Sequence, residues 1–145
     1  MAGRPDVSPG RVRVLFVCVE NAGRSQMAEA FAVGRGLAAM SAGTVPAGSV
    51  NPTVVEAMAE KGFDLSLKVP KMLTMEMIDQ ADVVMTMGCS VEEVCPRPVL
   101  NRMQKKVIDW DLEDPKGKPL SEVRRIRDEI EKKVDDLVRS QRLVR

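Results

Sequence analysis

Short apolar runs alternate with longer amphipathic segments along this chain. Four of the runs have the length and apolar content of buried β-strands. They span residues 12–17, 38–43, 81–87 and 105–110. Segments with helical spacing lie between most of them and after the last, and this alternation predicts an α/β protein with a doubly wound sheet. In such sheets, ligands bind at the carboxyl ends of the strands.

The helical segments carry their own start and stop signals. One helix is predicted to begin near Ser25, a capping residue, and to end in glycines. The next has Asn51 as its cap, Pro52 in its first position and Gly62 as its terminator. A third helix is predicted over residues 74–80.

The last segment has the clearest periodicity, because its apolar residues recur at spacings of three and four. These residues are Leu120, Val123, Ile126, Ile130, Val134 and Leu137. One side of a long helix is therefore expected to face a core. The basic residues between them are expected to form a solvated face. They are Arg124, Arg125, Arg127, Lys132 and Lys133.

Length and charge narrow the class of protein. A chain of 145 residues fits one domain, which we place at 12–145 after a flexible N-terminal tail over 1–11. That tail lacks the apolar core of a signal peptide. The net charge is +1 and the basic residues are spread out, so no nucleic-acid or membrane partner is expected. We expect a cytoplasmic monomer.

Three cysteines and no histidine restrict the available chemistry. Cys18, Cys89 and Cys95 form an odd, low count without a signal peptide, which indicates reactive thiols in a reducing compartment. The absence of histidine removes the usual general base and the commonest nitrogen ligand for zinc, so no metal site is expected. Cysteine, carboxylate, arginine and backbone groups remain as the chemical groups of a site.

The stretch "VCVENAGRSQ" (17–26) places a thiol at the mouth of a small polar loop. Cys18 ends the first predicted strand, and the loop Val19, Glu20, Asn21, Ala22, Gly23, Arg24 and Ser25 leads into a helix. Successive backbone N–H groups and the helix N-terminus can hold an anion there. The guanidinium of Arg24 suits two oxygens of a tetrahedral oxyanion, and these surroundings favour a thiolate at Cys18. Ser25 is expected to donate a hydrogen bond to that thiolate.

A lone C-x5-R pattern is weak, since a buried cysteine and a surface arginine would also explain it. Here it follows a strand and continues into "SQMAEAF" (25–31). The whole stretch "VLFVCVENAGRSQMAEAF" (14–31) resembles the signature of the low-molecular-weight protein tyrosine phosphatase superfamily, and within it the arsenate reductases recycled by thioredoxin. The segments 41–66, 82–89 and 110–134 resemble later blocks of the same reductases. The resemblance implies a four-stranded parallel sheet with helices on both faces.

The resemblance also implies a relay of three thiols. Cys18 attacks arsenate, Cys89 attacks Cys18 as arsenite leaves, and Cys95 attacks Cys89. Thioredoxin, or a similar small dithiol protein, then reduces the resulting disulfide, and no bound cofactor is implied. Without the resemblance, Cys89 and Cys95 would be two unrelated cysteines or half of a metal site.

Asp114, in "EDP" (113–115), matches the general acid of the family, although Asp-Pro also suits a simple turn. The main rival function is a phosphatase acting on phosphotyrosine or small phosphate esters, since the same loop and acid would suffice. Such enzymes carry tyrosines after the Asp-Pro, whereas this chain has no tyrosine and continues with Lys116. Weak phosphatase activity is expected in either case. A non-catalytic oxyanion-binding or redox-sensing module would need the loop but not the acid.

The chain departs from the family pattern at three places. Glu20 puts a carboxylate in the loop where relatives have a small or neutral residue, and we expect it to point away from the oxyanion. Gly23 replaces a second loop cysteine found in many relatives. Some reductases of the family bind potassium beside the loop through Asn, Glu, Ser and Asp. The first three positions match in this chain, as Asn21, Glu29 and Ser41. The Asp position holds Lys71, whose ammonium group we expect to replace the potassium ion.

Overall fold

The computed structural model describes residues 12–88 and 107–144 of the chain. Within these ranges one sheet contains four parallel strands. They are β1 (Arg13–Cys18), β2 (Ala38–Gly43), β3 (Val83–Thr86) and β4 (Val107–Asp109). Their order across the sheet is β2-β1-β3-β4. The four predicted strands and the parallel α/β fold are confirmed.

Four helices connect or follow the strands in the described ranges. They are α1 (Arg24–Gly34), α2 (Pro52–Ala59), α3 (Met75–Gln80) and α4 (Leu120–Val144). Asn51 caps α2 by accepting a hydrogen bond from the N–H of Thr53 at 2.9 Å, as its sequence signal predicts. None of these helices is long and apolar enough to cross a membrane.

Alternate residues of β1 face opposite sides of the sheet, because side chains in a strand alternate. Val14, Phe16 and Cys18 belong to the larger core cluster, which includes the buried faces of α1, α2 and α4. Leu15 and Val17 belong to a smaller cluster, which includes Ile78 of α3. Helices therefore cover both faces of the sheet, as the resemblance implied.

The apolar stripe of α4 is confirmed, but its basic face is not wholly solvated. Val123, Ile126, Ile130 and Val134 are fully buried, and Leu120 and Leu137 are partly buried against the same core. The prediction of a solvated face is wrong for one residue, Arg127, which is only 7% exposed.

Arg127 is buried because its guanidinium donates hydrogen bonds at the C-terminal end of α2. Its Nη1 donates to the carbonyl of Ala57 at 2.9 Å and to Oε1 of Glu60 at 2.7 Å. The last carbonyls of a helix lack intrahelical partners, so this guanidinium completes α2. Hydrogen bonds from Arg124 and Arg127 lower the pKa of Glu60 to about 2.

Candidate active site

Cys18 ends β1 at the carboxyl edge of the sheet and is only 3% exposed. Its Sγ lies 2.9 Å from Oγ of Ser25 and accepts the N–H of Asn21 at 3.2 Å. The Oγ of Ser25 also accepts a hydrogen bond from Nδ2 of Asn21 at 2.7 Å, so its own proton is available for the sulfur. The predicted contact between Ser25 and the thiol is therefore present.

Helix α1 begins one residue earlier than predicted, and Ser25 does not cap it. Gly23 occupies the N-cap position without a side-chain cap, and the helix starts at Arg24. The hydroxyl of Ser25 is used by the cysteine and the loop instead of by the helix end. The first N–H groups of a helix have no intrahelical partners, so they remain available to an anion beside Cys18.

Asn21 shapes the loop from within. Its φ of 53° is the left-handed conformation that asparagine tolerates, and its side chain is fully buried. Nδ2 donates to Ser25 and to Oγ of Ser41 at 3.0 Å. Oδ1 accepts from Nε2 of Gln26 at 3.1 Å and from the backbone N–H of Lys71 at 2.9 Å. One side chain thus ties the loop to α1, to β2 and to the segment before α3.

Arg24 joins the loop to two other segments at the same edge of the sheet. Its side chain is 7% exposed, and Nη1 donates to the carbonyls of Met87 at 2.9 Å and Leu112 at 3.0 Å. These bonds leave Nη2 on the side of Asp114, whose Oδ2 lies 3.6 Å away. The guanidinium is therefore held rigidly between the end of β3 and the segment that carries the predicted acid.

Asp114 lines a cleft of about 780 Å³ together with Cys18 and Arg24. Its side chain is 58% exposed, and Oδ1 accepts the N–H of Lys116 at 3.0 Å. The neighbouring carboxylate of Glu113 has a different environment, because hydrogen bonds from Lys118 and Arg125 lower its pKa to about 2. Glu113 is therefore a poor candidate for a carboxyl group that carries a proton in this cleft.

Glu20 and Gly23 connect the loop to the residues after Asp114. The carboxylate of Glu20 contacts Nζ of Lys116 at 2.9 Å, and both residues line the cleft. Glu20 thus faces an ammonium group at the cleft wall, and the expectation that it simply points away is too coarse. A Cβ on Gly23 would lie 3.0 Å from Cγ of Pro115, so the absence of a side chain lets Pro115 pack on the loop.

Asp109 is a site residue that sequence reasoning missed. Its Oδ1 accepts from Oγ1 of Thr86 at 2.6 Å and from the N–H of Gly88 at 2.9 Å. Its Oδ2 accepts from the N–H of Asp111 at 3.1 Å, a residue with a positive φ of 52°. The only signal in the sequence is a polar residue at the end of a strand, and no motif distinguishes it.

Cys89 and Cys95 lie outside the described residues, so the predicted thiol pair has no structural account here. Gly88, the residue immediately before Cys89, is within the described range. Gly88 lines the same cleft as Cys18 and Arg24, with a φ of +84°. A Cβ on Gly88 would lie 2.4 Å from the backbone nitrogen of Leu112, so only glycine fits this close contact.

The structure brings together the four residues discussed for a cation site. Ser41 donates to Oε1 of Glu29 at 2.5 Å and accepts from Asn21. Nζ of Lys71 lies 3.9 Å from the same Oε1. In the described part of the chain, no group of three or more His, Cys, Asp or Glu side chains could hold a metal ion.

This arrangement combines a buried cysteine at a strand end, a helix N-terminus and a hydrogen-bonded arginine on a parallel α/β fold, which are the parts that a thiol-centred oxyanion site needs. The family model for low molecular weight phosphotyrosine protein phosphatase matches residues 13–145, and the chain belongs to that family.

Relatives named for arsenate reduction and for phosphatase activity both resemble this chain. A Halobacterium salinarum protein provisionally named an arsenate reductase is 43% identical over 130 residues, which cover 84% of this chain and 87% of the relative. A thioredoxin-dependent arsenate reductase of Corynebacterium glutamicum is 36% identical with a TM-score of 0.74, covering 96% of this chain and 66% of that one. An arginine phosphatase of Geobacillus stearothermophilus is 27% identical with a TM-score of 0.81, covering 91% and 94%. The arsenate reductase relatives support an enzyme of the redox type.

Proposed function

We propose that this protein reduces arsenate to arsenite with the thiols of Cys18, Cys89 and Cys95, and that thioredoxin or a similar dithiol protein recycles it. The observation that carries the proposal is one cleft in which Cys18, Arg24, Asp114 and Gly88 meet. The first three residues are what an oxyanion substrate needs. Gly88 brings the chain to this cleft immediately before Cys89.

In the first step, the thiolate of Cys18 attacks the arsenic atom and an As–O bond breaks. Arg24 and the N–H groups of the loop hold the remaining oxygens, and Asp114 protonates the oxygen that leaves as water. The product is a thiol–arsenate adduct in which arsenic remains As(V). Asp114 suits this role by position, because it lines the same cleft as Cys18 and Arg24. The neighbouring Glu113 is held ionised by Lys118 and Arg125.

The second step is the reduction itself. The thiolate of Cys89 attacks Sγ of Cys18, the S–As bond breaks, and its electron pair stays on arsenic, which leaves as arsenite. The two sulfurs are oxidised to a disulfide. Cys95 then attacks Cys89 and releases the thiolate of Cys18, and the two thiols of thioredoxin reduce the Cys89–Cys95 disulfide. Each transfer is ordinary thiol–disulfide exchange.

Similarity to reductases supports this assignment from a separate direction. The Corynebacterium glutamicum relative named above is a thioredoxin-dependent arsenate reductase. The chain also lacks any tyrosine, and no aromatic side chain is among the described residues that line the cleft. A small inorganic oxyanion needs no aromatic wall.

A pair of assays tests the proposal. Arsenate-dependent NADPH consumption is measured with thioredoxin and thioredoxin reductase, and hydrolysis of an aryl phosphate is measured beside it. We expect Cys89→Ser to abolish the first activity and to spare the second, because aryl phosphate hydrolysis needs only Cys18, Arg24 and Asp114. Cys18→Ser is the matched control and should abolish both. A Cys89→Ser variant that still reduces arsenate at the wild-type rate would overturn the relay.

The second candidate function is a phosphatase, favoured by the structural likeness to an arginine phosphatase. The same thiolate, arginine and acid would form and hydrolyse a phosphocysteine. The two functions separate in the paired assays. A wild-type protein that hydrolyses phosphate esters efficiently but consumes no NADPH with arsenate and thioredoxin would support the phosphatase instead.

A further inference from the structure

The loop from Cys18 to Ser25, which we call the oxyanion loop, contains a carboxylate of its own. Glu20 follows Cys18 by two residues, lines the cleft and carries a carboxylate that is partly exposed. A carboxylate at this place repels a dianion bound in the cleft. A chain that binds arsenate or phosphate here needs something to offset that charge.

The group that meets Glu20 comes from the loop that follows Asp114. Nζ of Lys116 lies 2.9 Å from Oε2 of Glu20, across 96 residues of sequence. The hydrogen bond to Glu20 raises the pKa of Lys116, so the ammonium group remains charged through the physiological range. The backbone N–H of Lys116 donates to Oδ1 of Asp114 at 3.0 Å. One residue thus touches both the predicted acid and the charge in the oxyanion loop.

We propose that Lys116 is the counter-ion of Glu20 and a determinant of oxyanion affinity: its ammonium group cancels the loop carboxylate and makes the cleft acceptable to a dianion. Lys116 acts through Glu20 and is a positioning residue for the bound anion. The pair also holds the segment after Asp114 against the oxyanion loop. In this role, Lys116 explains how a carboxylate is tolerated inside an anion-binding loop.

The expected size of the effect follows from charge and distance. Removing the ammonium group leaves one uncancelled carboxylate near a dianion, which should weaken binding on the order of five- to tenfold at low ionic strength. Both partners are partly exposed, so salt should screen the effect. The loss should therefore shrink when the ionic strength rises well above about 0.1 M, where the Debye length is about 10 Å.

Isothermal titration with inorganic phosphate tests the proposal on the full chain. Lys116→Met should weaken phosphate binding by the factor above, and Glu20→Gln in the same chain should restore the wild-type affinity. Lys132→Met is the matched control: it removes an exposed lysine paired with Asp136 on α4, outside the cleft lining, and should leave the affinity unchanged. Thermal unfolding of each variant verifies that it is folded.

Two results would overturn the proposal. One is a folded Lys116→Met variant that binds phosphate as well as the wild type at low salt. The other is a Lys116→Met defect that Glu20→Gln fails to rescue, since a structural role of the lysine would not depend on the charge of Glu20. The proposal rests only on the oxyanion-binding part of the proposed function. Phosphate binding requires neither Cys89 nor thioredoxin, so failure of the relay assay would leave this test unaffected.

Discussion

Two loops line the same cleft and are built in opposite ways. In the loop from Cys18 to Ser25, buried side chains hold one another, and Asn21 alone makes hydrogen bonds to three segments. In the loop from Trp110 to Gly117, Leu112 and Pro115 are buried, while Asp114 and Lys116 are exposed and bound through surface contacts.

In the proposed mechanism, this difference separates two tasks, one for the oxyanion loop and one for the loop from Trp110 to Gly117, which we call the acid loop. The oxyanion loop has to keep donors in fixed positions, because preorganised donors bind charge without reorganising during the reaction. The acid loop has to deliver and recover a proton at the surface, where water and buffer can reach Asp114. Arg24 connects the two, since it bonds to Leu112 of the acid loop from inside the oxyanion loop. Mutations in the rigid oxyanion loop should therefore lower stability, whereas mutations in the exposed acid loop should lower catalytic activity.

The largest effect is expected from the acid loop, in catalysis. Asp114→Asn should lower kcat for aryl phosphate hydrolysis by about two to four orders of magnitude, as expected for loss of a general acid. Glu113→Gln, in contrast, should keep most of the activity. The pKa of Glu113 is already about 2, so this carboxylate is ionised across the assay range. Equal losses in both variants would contradict the assignment of the acid.

The second effect is expected from the oxyanion loop, in stability. Asn21→Ala should lower the free energy of unfolding on the order of 3 kcal/mol, because it leaves several buried polar groups without partners and puts alanine in a left-handed conformation. Asn51→Ala, which removes only a helix cap, should cost about 1 kcal/mol. Urea unfolding of the two variants measures the difference. Similar losses would mean that the loop is not the rigid half of the cleft.

A smaller effect is expected where the chain after β3 meets the acid loop. Asp109 holds Gly88 at the start of one segment and Asp111 at the start of the other. Asp109→Ala should lower kcat/KM by at least about two- to tenfold, the value of one hydrogen bond. The loss should appear in both arsenate reduction and aryl phosphate hydrolysis. Thr86→Val, which removes one of the three hydrogen bonds that Asp109 accepts from described residues, should have the smaller effect. If Asp109→Ala behaved like the wild type, the two segments would be positioned independently.

The sequence predicts the rigid loop better than the surface contacts, and the reason is physical. Cys18, Asn21 and Ser25 interact within eight residues, so a local motif carries their arrangement. The four strands are also local, since each is a short apolar run. The contact of Glu20 with Lys116 and the burial of Arg127 against α2 depend on segments that are 96 and 70 residues apart. No local pattern distinguishes these two basic residues from solvated neighbours such as Lys132.

The smallest expected effect concerns monovalent cations beside the rigid loop. Nζ of Lys71 lies 3.9 Å from the carboxylate of Glu29, which also accepts a hydrogen bond from Ser41. We expect this ammonium group to take the place of a potassium ion. Arsenate reduction should therefore run at the same rate in potassium and sodium chloride of equal concentration. Lys71→Met should leave Glu29 without its cation and lower the melting temperature more than Lys68→Met, a control for an exposed lysine in the same segment. A clear activation of the wild type by potassium over sodium would show that Lys71 does not replace the ion.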